Sequence, residues 1–253
     1  VRDAHDALAA LELDLFAVAS YGKIVPQAIL DLPRLGALNV HPSLLPLYRG
    51  ATPLQSQLRD GATRGGVTII AMDAGMDTGD IVLQSVAPIG ERETYGELHD
   101  RYAELGAAML TNACDLVASG MATRTPQRGL ADESEIVRTL TRPLGKDDLV
   151  LDWSLSSKRI VDFVRSLAPQ PLARATVVEA NTKVVRVRAL DAGELSSAAL
   201  PSTPGAVGLR LGAKPALVVR TGDGGVAVER LVPPNRKELD GADVARSLAL
   251  QNR

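Results

Sequence analysis

The sequence predicts an α/β domain built on an open sheet, followed by a small all-β domain of the OB-like barrel type. Three observations carry this. Over residues 1–123, short apolar runs alternate with amphipathic stretches of helical period. Beyond residue 152, five short strand-like runs are separated by clusters of Gly, Pro, Ser and Asp. The charge changes sign with the pattern. Residues 1–136 carry 10 basic and 18 acidic side chains, net −8, and residues 137–253 carry 18 basic and 12 acidic, net +6.

Residues 2–12 read as a helix with Leu8 and Leu11 on one face. Asp14–Ser20 is apolar with little alternation, as expected of a strand buried on both faces of a parallel sheet. Pro26 opens a brief helix to Leu30. Ala37–His41 reads as a second strand ending in polar groups, and the loop 42–50 leads to a helix begun by Thr52 and Pro53. Val67–Met72, rich in β-branched residues, is the third strand, and Ile81–Gln84 the fourth, after a loop at Asp73–Asp80. Thr94 and Glu97 form a capping box for a helix running to Gly120, with Tyr95, Leu98, Tyr102, Leu105, Met109 and Leu116 as its apolar stripe.

Residues 124–152 are polar, interrupted by Pro126 and Pro143, and read as a linker. The second domain, 153–253, opens with a helix from about Ser156 to Leu167 and continues with strands at 175–179, 183–190, 206–210, 216–221 and 225–231. An open sheet of so few strands, entered through a helix, leads us to expect that the first domain is incomplete at its N-terminus.

Composition narrows the function classes. The single cysteine, Cys114, excludes a disulfide framework and a cysteine-based zinc site. No apolar run approaches the roughly 20 residues that cross a bilayer, and the default expectation is a cytoplasmic protein. Aromatic residues are 3% of the chain, and past residue 136 they are Trp153 and Phe163 alone. Proteins that bind single strands stack bases on such rings, so a basic second domain this poor in them suits backbone contact with a folded polyanion. Lys183, Arg186, Arg188, Arg210, Lys214, Arg236 and Lys237 contribute its charge, Arg186 and Arg188 on one face of an alternating strand.

The chemistry-bearing residues lie in the first domain. Asn39 and His41, one residue apart on an extended segment, share a face, at a strand end where open α/β sheets gather ligands. The loop that follows, Pro42 to Gly50, is stiffened by prolines and rich in leucine. Asp77 lies between Gly75 and Gly79, and glycines around a carboxylate let backbone approach a ligand closely. Composition does not distinguish it from Asp73 or Asp80. Metal ligation is a poor reading of this set, since asparagine is a weak zinc ligand and no second His or Cys stands nearby.

The segment Asn39-Val-His41-Pro-Ser-Leu-Leu-Pro46-x-x-Arg-Gly-x-x-Pro53, with Gly66-Val-Thr-Ile-x-x-Met-Asp-x-Gly-x-Asp77-Thr-Gly-Asp80, closely resembles the folate-dependent formyltransferases. Leu151-Asp-Trp-Ser-Leu-Ser-Ser, the Thr221-Gly-Asp-Gly turn and the basic five-strand tail are similar to the branch whose acceptor is methionyl-tRNA. The resemblance implies an open Rossmann-like formyltransferase domain with a catalytic trio of Asn39, His41 and Asp77, and a folate pocket lined by Ser43, Leu44, Leu45 and Pro46. It implies 10-formyltetrahydrofolate as formyl donor, no metal, and methionyl initiator tRNA as acceptor, for translation initiation. Arg49, Lys183, Arg186, Arg188, Arg236 and Lys237 would meet the tRNA, and the chain would act as a monomer. Asn39 and His41 would stabilise the oxyanion and move the proton, while Asp77 would orient the imidazole or relay the proton. Rival expectations are transfer to glycinamide ribonucleotide or an amino sugar, which leave the basic tail without a use, and a non-catalytic RNA-binding module.

Overall fold

The computed structural model describes residues 5–198, 200–210 and 215–251. The chain divides into two compact units. The first takes the residues up to Gln57 with Ala62–Glu91 and Glu97–Pro143; the second takes Leu58–Gly61, Arg92–Gly96 and the chain from Leu144.

The first unit is built on a four-stranded sheet in the order β1 (Phe16–Val18), β2 (Ala37–His41), β3 (Arg64–Ala71), β4 (Ile81–Pro88). Strands β1 and β2 are parallel, with Val18 opposite Asn39; β2, β3 and β4 are antiparallel, with His41 opposite Thr68. The segment from Met72 to Asp80 is too short for the crossover of a dozen or more residues that a parallel β3–β4 pair would need. The apolar run at 14–20 forms only three strand residues, and they are not fully buried. Among the described residues, strand β1 bonds a single neighbour, β2.

Short helices α1 (His5–Ala9), α2 (Gln27–Leu30) and α3 (Pro53–Arg59) precede the long α4 (Tyr95–Ala118), which ends before Gly120, at φ +70°. The buried face of α4 is Leu98, Tyr102, Gly106, Ala113 and Val117. It shares Leu98 and Tyr102 with the expected stripe and then turns toward small residues. A methyl group at Gly106 would lie 2.7 Å from Val40 Cγ1, so the helix comes this close to β2 because that position carries no side chain.

The stretch that reads as a linker is ordered up to the unit boundary. Thr125 exchanges backbone hydrogen bonds with Ile81, both 2.9 Å. Helix α5 (Glu133–Arg138) is capped by the Asp132 carboxylate, which accepts from the Ser134 amide at 2.8 Å. The Thr141 amide then donates to the Arg49 carbonyl at 2.8 Å. Residues 124–143 are therefore a strap fastened to the first unit at both ends.

In the second unit, α6 (Ser157–Arg165) packs on a sheet of β5 (Ala173–Val177), β6 (Ala180–Ala189), β7 (Val207–Arg210), β8 (Ala216–Arg220) and β9 (Gly225–Val232). Its spatial order is β5-β6-β9-β8-β7, and every pairing is antiparallel. Strand β10 (Leu239–Asp240) joins β9, α7 (Ala192–Ser197) is fixed by a reciprocal cap between Asp191 and Glu194, and α8 (Gly241–Gln251) lies on β8 and β9. Ile160, Leu167, Val184, Leu217, Val226 and Leu231 are central to the core. The closed barrel expected from the strand pattern is not found among the described residues. Strands β5 and β7, five and four residues long, each bond one neighbour, so the sheet stays open between them.

Candidate active site

Strand β2 delivers the first two side chains. Val40 faces α4, so its neighbours Asn39 and His41 project to the opposite side. Asn39 is half-buried and its amide makes no hydrogen bond to a described residue. His41 is 4% exposed. Its Nε2 lies 2.9 Å from the Tyr48 carbonyl oxygen, and its Nδ1 lies 3.5 Å from Asp77 Oδ2. A carbonyl oxygen only accepts, so Nε2 carries the proton in the neutral ring and the Nδ1 lone pair faces the carboxylate. Burial pushes the imidazole below its usual pKa; Asp77 and the Tyr48 carbonyl act against this, and Arg49 reinforces it. The ring is therefore neutral near pH 7, with one vacancy for a proton, at Nδ1.

Asp77 is carried by the loop between β3 and β4. Its φ of +57° lies in the left-handed region, which non-glycine residues adopt at a cost. The Gly50 amide donates to its Oδ2 at 2.9 Å. Gly50 itself, at φ +110°, leaves no room for a side chain, since a Cβ there would lie 2.1 Å from the Thr141 carbonyl oxygen. Asp73 is otherwise employed: its carboxylate accepts from the Gly75 amide and the Thr78 hydroxyl, closing its own turn.

The strap supplies what sequence reading missed. Gln127 is 4% exposed. Its Oε1 accepts from Arg49 Nε at 3.1 Å and Nη2 at 2.7 Å, and its Nε2 donates to the carbonyls of Asp77 at 2.9 Å and Gly79 at 2.7 Å. Thr141 Oγ1 donates to the Arg49 carbonyl and accepts from the Thr52 amide, both at 3.0 Å. Neither residue has a sequence signal beyond its type, because the contacts span 48–78 positions for Gln127 and 89–92 for Thr141.

The loop expected to line a folate pocket is pinned to the sheet. Ser43 is fully buried, and its hydroxyl donates to the Leu47 carbonyl at 2.7 Å. Leu45 packs on Ile70 and Ile81, and Pro46 is buried. The Thr68 hydroxyl donates to the Ser43 carbonyl at 2.6 Å and accepts from the Leu45 amide and from Gln84. Leu44 is half-buried and lies over Gly66 of β3, where a Cβ would come within 2.5 Å of its Cδ2. The side chains of Ser43 and Leu45 thus hold the loop, and Leu44 remains partly open to a ligand.

The basic residues divide by partner. Lys183 and Arg236 join Arg174 in lining an open cleft of ≈ 380 Å³ with Asn181, Asn235, Val232 and Pro233–Pro234, and Lys237 is exposed beside it. Arg186 is exposed on β6. Arg188 is engaged: it pairs with Glu194 through two 2.6 Å hydrogen bonds, Arg210 contacts the same carboxylate, and Glu194 is held far below the usual carboxylate range by these partners. Lys214 lies outside the described residues. Arg49, on Gln127, belongs to the first unit. No group of three or more His, Cys, Asp or Glu side chains among the described residues is placed to hold a metal ion.

A neutral imidazole lies against a carboxylate, on a strand that also carries an amide with no partner among the described residues. Residues 2–114 match the formyl transferase family model, and residues 143–249 match the formyl transferase C-terminal domain. The chain belongs to the formyl transferase family. It is 39% identical over 245 residues to methionyl-tRNA formyltransferase of Stutzerimonas stutzeri (strain A1501), covering 96% of this chain and 73% of that one. It is 40% identical over 233 residues to the enzyme of the same name from Syntrophus aciditrophicus (strain SB), covering 92% and 70%.

Solved structures agree on the fold. HypX from Aquifex aeolicus, in complex with tetrahydrofolic acid, superposes with a TM-score of 0.69 at 20% identity, over 96% of this chain and 40% of that one. WlaRD, a sugar 3N-formyl transferase crystallised with dTDP and 5-N-formyl-THF, gives a TM-score of 0.64 at 15% identity, over 91% and 77%.

Proposed function

We infer that the chain transfers the formyl group of 10-formyltetrahydrofolate to the α-amine of methionyl-tRNA. The observation that carries the reading is the Asn39–His41–Asp77 arrangement in a chain 39–40% identical to methionyl-tRNA formyltransferases. The residues present fit a formyl donor. Asn39 offers an amide with no partner among the described residues, and such a donor belongs where negative charge develops on a carbonyl oxygen. Bound 10-formyltetrahydrofolate supplies the one-carbon unit; the rest of the chemistry is the protein's.

An α-amine has a pKa of roughly 7.7–8.0, so it loses a proton to the site at little cost. Both ring nitrogens of His41 face the protein, and Tyr48 alone already sets the ring's orientation. Asp77, 17% exposed at its side chain against 5% for His41, is the outer member of the pair. We therefore assign Asp77 as the relay and His41 Nδ1 as the place where the proton rests before it passes to the departing nitrogen. The Ser43–Pro46 turn would wall the donor site with its backbone and Leu44. In the second unit, Arg174, Lys183 and Arg236 would meet tRNA phosphates at their cleft, with Arg186 and Lys237 near; Arg188 is committed to Glu194. The reading extends to a monomer in the cytoplasm, which sedimentation and cell fractionation check.

The test is an acceptor panel. With 10-formyltetrahydrofolate, the protein should formylate methionyl initiator tRNA and leave an amino-sugar nucleotide and glycinamide ribonucleotide unmodified. Formylation of either small acceptor in preference to the tRNA overturns the assignment.

A further inference from the structure

We propose that Gln127 is a positioning residue of the formyl-transfer site: its buried amide clamps the Arg49 guanidinium on one side and the Asp77 and Gly79 carbonyls on the other, holding the Asp77 carboxylate against His41. This rests on the assignment of Asp77 and His41 made above. Gln127 lies in the strap between the two segments that match the family models, 2–114 and 143–249. It touches neither Asn39 nor His41, so any effect on the reaction passes through others.

The geometry leaves it little else to do. All four hydrogen bonds of the side chain end on the two loops that meet at the carboxylate: two from Arg49, two to the Asp77–Gly79 turn. Arg49 is joined through its backbone to Gly50, whose amide donates to Asp77 Oδ2. The clamp thus fixes both the carboxylate's own backbone and the donor that aims it. Asp77 needs such support, because its left-handed φ is a conformation that a free loop would relax. Displacements of about 1 Å in a reacting group cost up to a hundredfold.

The experiment compares wild type, Gln127→Met, Asp77→Asn and the double variant in formylation of methionyl-tRNA. Gln127→Met keeps the volume and removes every hydrogen bond. We expect kcat to fall about tenfold to a hundredfold, with KM for 10-formyltetrahydrofolate within twofold of wild type. In the Asp77→Asn background the same change should cost less than threefold, since the group it positions is already gone. If Gln127→Met does not fold, Gln127→Glu keeps the grip on Arg49 but loses both donors to the loop carbonyls, and the same non-additivity is expected of it.

A single-variant rate equal to wild type, or a loss that multiplies in full with that of Asp77→Asn, overturns the positioning role while leaving the site intact. An inactive wild type, or an Asp77→Asn enzyme as fast as wild type, overturns the site assignment and this proposal together.

Discussion

Replacing Asp77 by asparagine removes one charge and almost no volume. In the structure that charge sits 3.5 Å from His41 Nδ1, where side-chain exposures of 17% and 5% leave little screening by water. At an effective dielectric of about 20, unit charges at that distance attract by roughly 5 kcal/mol. This is the main force sustaining a proton on a ring whose burial otherwise opposes it. An amide in its place cannot relay a proton, and the loss expected for a general acid–base group is about 10²–10⁴ in kcat.

The pH profile carries the sign. His41 must be neutral to accept, and burial already lowers its pKa, with Asp77 and the Tyr48 carbonyl raising it and Arg49 lowering it. Without Asp77 the largest opposing influence is gone, so the acidic limb of kcat should move to lower pH. Stopped-flow or quench measurements of formyl-methionyl-tRNA over pH 5–9 read both effects. A variant within about fivefold of wild type, or an acidic limb displaced upward, refutes the reasoning.

Three further outcomes follow from the same geometry. Gly50→Ala should destabilise the first unit by about 2–4 kcal/mol, measured as a urea midpoint, because its φ is in the left-handed half and a methyl meets the Thr141 carbonyl. Lys183→Ala with Arg236→Ala should weaken tRNA binding and lower the slope of log affinity against log salt by about 2, with single-turnover formylation at saturating tRNA unchanged; filter binding across a salt series checks it. His41 contributes a pH dependence to stability. Its folded pKa lies below the unfolded value of about 6.5, so between those two values the unfolded chain binds more protons. Stability should therefore be full above that value, fall as the pH drops through the window and level off below the folded pKa. Urea midpoints of wild type minus His41→Gln isolate this component.

How much of this could be read from the sequence depends on the range of the interaction. The two-residue spacing of Asn39 and His41 is local, and the strand's alternation alone puts them on one face. The alternation at 183–190 is local too, and the strand exists, but the two hydrogen bonds of Arg188 to Glu194 of α7 could not be read from it. Asp77 could not be told from Asp73 or Asp80, because what separates them is a contact to His41, 36 positions away. The same holds for Gln127, which reads as one polar residue in a polar stretch until the strap folds onto the Arg49 loop. Barrel closure is illegible for a related reason: strand number is a local property, whereas closure depends on whether two short end strands meet, and β5 and β7 do not pair among the described residues.

In the proposed reaction Asn39 stabilises charge on the oxygen of the transferred group. Its amide makes no hydrogen bond among the described residues, so its removal should spare the fold and the donor site. Single-turnover transfer by Asn39→Ala, with enzyme in excess and both substrates saturating, measures this directly. The rate should drop by about 10²–10³ with the dissociation constant for 10-formyltetrahydrofolate unchanged. Transfer at the wild-type rate by a folded variant would contradict the account.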